Sequence, residues 1–117
     1  MQEYPPEQFA FAFDILHATV EGGLSWPLEA ELVKEHRGAV YFKDFAWKGR
    51  KHETCPLGEG MVDPAFAKML VKQNYSGPIS LHVEYLKGDP KDANTLKEFV
   101  AAQDRDFKTL KQWLGLA

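Results

Sequence analysis

Apolar residues alternate with small or polar ones over three stretches of this chain; elsewhere they recur at helical spacing. Over residues 9–14, Phe9, Phe11 and Phe13 share one face and Ala10, Ala12 and Asp14 the other, as the two-residue period of a strand dictates. Residues 39–45 repeat the pattern, with Val40 and Phe42 against Tyr41 and Lys43. Residues 78–85 set Ile79, Leu81, Val83 and Tyr85 against Ser80, His82 and Glu84. Between and after these strands the spacing predicts helices over about 27–36, 64–74 and 95–114. Pro27 and Pro64 suit a first helical turn, where a missing N–H has no helical partner. The second helix offers Phe66, Met69, Leu70 and Val71 as its buried stripe. The third opens on Thr95 with Glu98 three residues later, a capping box, and its stripe runs through Leu96, Phe99, Val100, Gln103, Phe107, Leu110 and Leu114. Residues 46–62, with Gly49, Gly58 and Gly60, read as one long polar loop.

Strands alternating with helices imply parallel strands joined by right-handed crossovers. One face of each strand is large and apolar; the other is small or polar and ends in ionisable groups, Asp14, Lys43, Asp44 and Glu84. A doubly wound sheet is apolar on both faces because helices cover both. A barrel has helices on one face only and its chemistry at the C-terminal strand ends. The expected fold is therefore α/β: a single domain over 1–117 forming three strand–helix units of a TIM barrel. Three strands cannot close a barrel, so completion by self-association or by a missing barrel half is expected.

The chain has 117 residues, 44% hydrophobic and 26% charged, with a net charge of −3. That profile fits a globular protein and offers no basic surface for phosphate backbones, so no nucleic-acid partner is expected. The one cysteine, Cys55, excludes an internal disulfide framework and fits a reducing compartment. The first residues lack the basic start and apolar run of a signal peptide, and no apolar run is long enough to span a bilayer. A cytoplasmic protein without a membrane partner is expected.

Four stretches, taken in order, resemble one known family. Phe13-Asp-Ile-Leu-His17 looks like the Asp-x-x-His turn after the sixth strand of xylose-isomerase-like barrels. Phe42-Lys-Asp-Phe45 resembles their seventh strand end, and Leu57-Gly-Glu-Gly-Met-Val-Asp63 the loop that follows it. Gly77-Pro-Ile-Ser-Leu-His-Val-Glu-Tyr85 resembles the eighth strand with its terminal glutamate. The resemblance implies a sugar or sugar phosphate isomerase or epimerase. It assigns a divalent ion (Mn²⁺, Mg²⁺ or Co²⁺) to Asp14 and Glu84, and places His17 beside the substrate or a second metal. Such an ion would polarise a ketose carbonyl, and Glu84 would take the proton from the adjacent carbon. An epimerase needs a second carboxylate, which in the family comes from an earlier strand that this chain lacks. Where the family carries a ligand histidine, this chain has Tyr41. The site then has fewer ligands, or His52 or His82 compensates, or metal binding is lost.

The same residues also have plainer readings. Asp14 can cap a turn or helix. Lys43 can bind a substrate phosphate or hydroxyl, or pair with Glu84 or Asp14. His82 can be a hydrogen-bonded interior residue, and Trp47 can line a pocket over a sugar face. Two functional classes follow: an enzyme segment inactive in isolation, and a non-catalytic protein that self-associates through open strand edges. A third, an endonuclease IV-like repair fragment, rests on Arg50-Lys-His-Glu53, and the acidic balance argues against it.

Overall fold

Asp14 decides where the first strand stops. In the computed structural model, which describes residues 3–116, strand β1 is Phe11–Asp14 and helix α1 is Ile15–Gly22. The Asp14 carboxylate accepts the Leu16 N–H at 2.9 Å, so the last strand residue is also the helix N-cap. The sequence pattern predicts no helix between the strand at 9–14 and the helix at 27–36; α1 forms because Ile15, Leu16 and Ala18 bury one face and Asp14 supplies the cap. A 3-10 turn at Gly23–Ser25 leads into helix α2, Trp26–Leu32, which buries Trp26 and Ala30. A second such turn, Lys34–His36, feeds strand β2, Arg37–Phe42.

The partial TIM barrel expected from the sequence is not what the chain forms. Beyond β2 it builds a separate two-stranded antiparallel sheet, β3 (Asp44–Lys48) with β4 (Lys51–Cys55), which has no place in a run of parallel barrel units. The reading of 39–45 as one strand and 46–62 as one loop fails for a local reason. Lys48 pairs with Lys51, and the two residues between them turn the chain, with Gly49 at φ 64°. Glycine reaches that region without the Cβ penalty, which makes it a hairpin signal.

Helix α3 is Ala65–Lys72, opened by an Asp63 carboxylate that accepts the Ala65 N–H at 2.9 Å. Strand β5 is only Ile79–Leu81. His82 N–H adds one further bond to the Phe42 carbonyl, after which the chain leaves the sheet. Helix α4 is Ala93–Trp113, capped by Asp92, which accepts from Thr95 N–H and Oγ1 at 3.0 Å each; the cap expected at Thr95 lies three residues earlier.

The three-stranded sheet has the order β1-β2-β5, all parallel. Register places Phe13, Val40 and Ile79 in one row, with Phe42 and Leu81 in the next. These side chains face the helices. Phe66 of α3 is the hub: its ring lies 5.2 Å from Phe13, 5.4 Å from Phe42 and 5.8 Å from Trp26. Aromatic contacts at these spacings add directional attraction to area burial. The opposite row, Ala12 with Ala39 and then Asp14, Tyr41 and Ser80, is the more open one: Ala12 is exposed and the others are partly exposed.

Helix α4 buries a different stripe from the expected one. Ala102, Asp106 and Leu110 face inward, while Leu96, Val100 and Phe107 are about half exposed. Asp106 turns inward because Tyr85 Oη donates to it at 2.9 Å, and Arg105 donates in turn to Tyr85 Oη at 2.6 Å. That tie also draws residues 82–85 off the sheet edge and toward α4.

Candidate functional site

Three parallel strands that end together bring their terminal residues into one place. Asp14 ends β1, Lys43 follows β2, and His82 and Glu84 follow β5. Lys43 Nζ stands 3.3 Å from Asp14 Oδ2 and 3.3 Å from Glu84 Oε2. The ammonium therefore bridges two carboxylates that sequence distance would keep apart. His82 Nδ1 lies 3.3 Å from Glu84 Oε1, and its ring stacks on Tyr41 at 4.9 Å. His17, one turn into α1, has Nε2 at 3.8 Å from Asp14 Oδ2 and Nδ1 at 3.5 Å from Glu21 Oε1.

The two carboxylates are not equivalent. Asp14 is tied down: Oδ1 caps α1, Oδ2 faces Lys43, and its side chain is 13% exposed. Glu84 is 47% exposed and keeps acceptor capacity in hand. Burial pushes the Glu84 carboxyl up, but the charge and hydrogen bond of Lys43, then those of His82, outweigh it and hold the group below the ordinary glutamate value. Burial pushes the Lys43 ammonium down, but Asp14 and then Glu84 outweigh that and hold it above its ordinary value. At neutral pH Lys43 is thus a cation and Glu84 an anion.

Lys43 also bears on the divalent ion. Its Nζ takes the point between Asp14 and Glu84 where a metal would have to sit. Among the described residues no three His, Cys, Asp or Glu groups converge as a metal site. The cation that stands between the two carboxylates in this structure is Lys43. Tyr41, in place of a ligand histidine, packs on His82.

Asp14, His17, Lys43, His82 and Glu84 are thus assembled; Trp47 is not. It lies on β3, 45% exposed, edge-on to Phe45 at 5.4 Å and to its cross-strand neighbour His52 at 6.3 Å. His52 on β4 does approach: with Thr54, Glu84, Tyr85 and Lys87 it lines a cleft of about 380 Å³ between the hairpin and the segment after β5.

Sequence reading notes Asp44 at a strand end and gives it no role. It is 1% exposed, and its carboxylate accepts four backbone N–H groups. Phe45 and Val62 donate to Oδ1 at 2.8 and 2.9 Å; Gly58 and Gly60 donate to Oδ2 at 2.9 and 3.1 Å. The clasp folds residues 56–62 against the hairpin beside the mouth. A Cβ on Gly60 would collide with the Phe45 carbonyl, Asp44 Oδ1 and Cys55 Sγ. A Gly-x-Gly loop following an aspartate is the signal for such a clasp. Arg37 and Asp106 also escape sequence reading, because a buried polar side chain looks like a surface one.

No helix among the described residues is long and apolar enough to cross a membrane. Comparison of this chain with protein-family models, with curated proteins and with solved structures finds no match.

Proposed function

We propose that the strand-end cluster is one wall of a site for a small polyhydroxylated carbonyl compound, a sugar or sugar phosphate, at which a proton moves between carbons. The observation that carries this reading is the Asp14–Lys43–Glu84 bridge at the C-terminal ends of three adjacent parallel strands. In α/β sheets, ligands bind in the crevice outside those ends. Support also comes from the ordered motifs that resemble sugar isomerases and epimerases.

Each residue has a chemical part in it. Lys43 presents a fixed positive charge to a carbonyl oxygen and offsets the negative charge that grows there as the adjacent C–H bond breaks. Glu84, the freer carboxylate, takes that proton. Its return to the former carbonyl carbon, with the neighbouring hydroxyl's proton passing to the former carbonyl oxygen, gives isomerisation. His82 orients Glu84, Asp14 holds Lys43, and His17 adds a donor at the rim. Epimerisation needs a second acid on the far side of the carbon, and the open sheet face gives substrate no cover. The isolated chain is therefore expected to bind without turnover.

Neutral fructose, titrated into ¹⁵N-labelled protein, tests the reading. Saturable shifts at Tyr41, Lys43, His82 and Glu84 are expected, weakened about tenfold in Glu84→Gln, whose amide no longer accepts as a charge does. Absence of shifts at these positions up to high millimolar sugar sinks it.

A second reading, a non-catalytic protein that self-associates, has its own support. Leu24 of the 3-10 turn and Leu28 and Leu32 of α2 are 98%, 62% and 68% exposed. Isolated exposed leucines are ordinary, but three spaced four residues apart mark an association surface. Sedimentation equilibrium separates the readings: association lost in Leu28→Glu while fructose shifts are absent favours this one.

A further inference from the structure

At the end of the sheet opposite the charged mouth, β2 opens on a residue that is rarely buried. Arg37 is 8% exposed. Its guanidinium carries five N–H donors, no acceptor, and a charge that persists at neutral pH. Nη2 donates to Oε1 of Gln73, a neutral carboxamide. Nε and Nη1 are buried and have no hydrogen-bond partner among the described residues. Burial pushes the guanidinium below its ordinary value, and Tyr75 and Glu31 offset this only in part. Tyr75 is close, with its ring centre 5.5 Å from the guanidinium carbon. Buried charged donors left without acceptors are costly, so the protein holds here an arrangement that its own groups do not complete.

Beside the guanidinium opens a cleft of about 380 Å³, lined by Lys34, Arg37, Gln73, Asn74, Ser76 and Gly77. Two cations, Lys34 and Arg37, and three neutral side chains with donors, Gln73, Asn74 and Ser76, line one space. Glu31 stands behind them, accepting from Lys34 at 2.8 Å and from Gln73 Nε2 at 3.0 Å. It restrains Lys34 and Gln73 without reaching Arg37 in that bond network.

We propose that this cleft is a binding site for a small oxyanion, the phosphate or carboxylate group of a small molecule, with Arg37 and Lys34 as its cationic wall. Nη2 belongs to both hydrogen-bonding edges of a guanidinium, paired with Nη1 end-on and with Nε side-on. The carboxamide on Nη2 therefore blocks both forks, and its displacement by an oxyanion opens a bidentate approach. The anion supplies acceptors for the donors the fold leaves unpaired, while Ser76 and Asn74 have hydrogen atoms to offer its outer oxygens. The site lies at the strand starts and is separate from the Lys43 mouth.

Titration of the full chain with inorganic phosphate, and separately with acetate, at constant ionic strength tests this by ¹⁵N NMR, with the Arg37 Nε–H resonance as reporter. Saturable shifts at Arg37, Gln73, Asn74 and Ser76 are expected. Lys34→Ala is expected to weaken binding about fivefold and Glu31→Gln to strengthen it about fivefold, the size of one solvent-facing charge interaction. Both substitutions are at surface positions and leave the fold intact even where Arg37→Met does not. Saturation with phosphate alone identifies a phosphate group, and saturation with acetate as well identifies a carboxylate-tolerant site. Shifts that stay linear with both anions, or saturate with no change in either variant, overturn the proposal.

Discussion

Lys43 and Asp44 are consecutive, and they end in opposite kinds of surroundings. Asp44 sits in a closed clasp whose four N–H donors lie at 2.8–3.1 Å and which water does not reach. Lys43 sits in an open bridge whose contacts are 3.3 Å and whose partner Glu84 is half exposed. The first carboxylate has spent its hydrogen-bonding capacity on backbone; the second retains it. Burial with full satisfaction makes structure, and partial satisfaction at a rim leaves groups available to a ligand. The chain places the two side by side, so that the rigid element fixes the origin of the adaptable one.

The largest effect expected from this contrast is at the clasp. Asp44→Asn turns an acceptor-only group into one that also aims N–H donors at backbone N–H groups. A loss of about 3 kcal/mol, read as a lower urea midpoint, is expected. A loss below about 1 kcal/mol would erase the distinction between clasp and bridge. Next comes Gly60→Ala, whose added Cβ collides with the clasp; overpacking of this kind costs about 1–3 kcal/mol. Lys43→Met removes the bridge and is expected to lower stability by about 1 kcal/mol or less while abolishing fructose shifts, since Glu84 is half exposed and Asp14 keeps its Leu16 N–H.

The pH dependence of that last difference sharpens the comparison. Glu84 titrates below its ordinary 4.5 in the folded chain, so its share is present above pH 4.5 and is lost as pH falls through the folded value. Lys43 titrates above its ordinary 10.5, so its share is present below pH 10.5 and is lost as pH rises through the folded value. The stability gap between the parent chain and Lys43→Met is expected to be flat between those limits and to shrink outside them. Smallest is a reactivity effect. Burial, then Asp44, Glu59 and Asp106, push the Cys55 thiol up to about 11 from an ordinary 9.0. Two units leave about 100-fold less thiolate, and higher intrinsic nucleophilicity returns about tenfold. Cys55 is therefore expected to react with iodoacetamide about tenfold more slowly than in urea, and Asp44→Asn narrows that margin.

Much of this was legible from alternation alone. The rows through Phe13, Val40 and Ile79 on one face, and Asp14, Tyr41 and Ser80 on the other, follow from a period of two. The hairpin was not, because Lys48-Gly-Arg-Lys51 reads as charged loop, and only Gly49 at positive φ betrays the turn. The α1 cap was hidden by the same residue that ends β1, since Asp14 serves both. Asp106 misled the phase of α4, because a carboxylate within a helix reads as solvent-facing until Tyr85 is found beside it. At the mouth, the residue types were readable, but Trp47's departure onto the hairpin depends on a turn rather than on any property of tryptophan.

The sheet order carries a kinetic consequence. β2 lies between β1 and β5, and β5 contributes only Ile79–Leu81. Among the described residues both parallel ladders therefore depend on one strand. β1 meets β2 across the short span of α1 and α2, whereas β5 arrives only after the hairpin and α3 have been laid down. The nearer closure loses less chain entropy and forms first. In native-state hydrogen exchange, the β5 amides and that of Val40, which donates to the Pro78 carbonyl, then open by detachment of the strand and helix that follow, while the β2 amides on the β1 side wait for global unfolding.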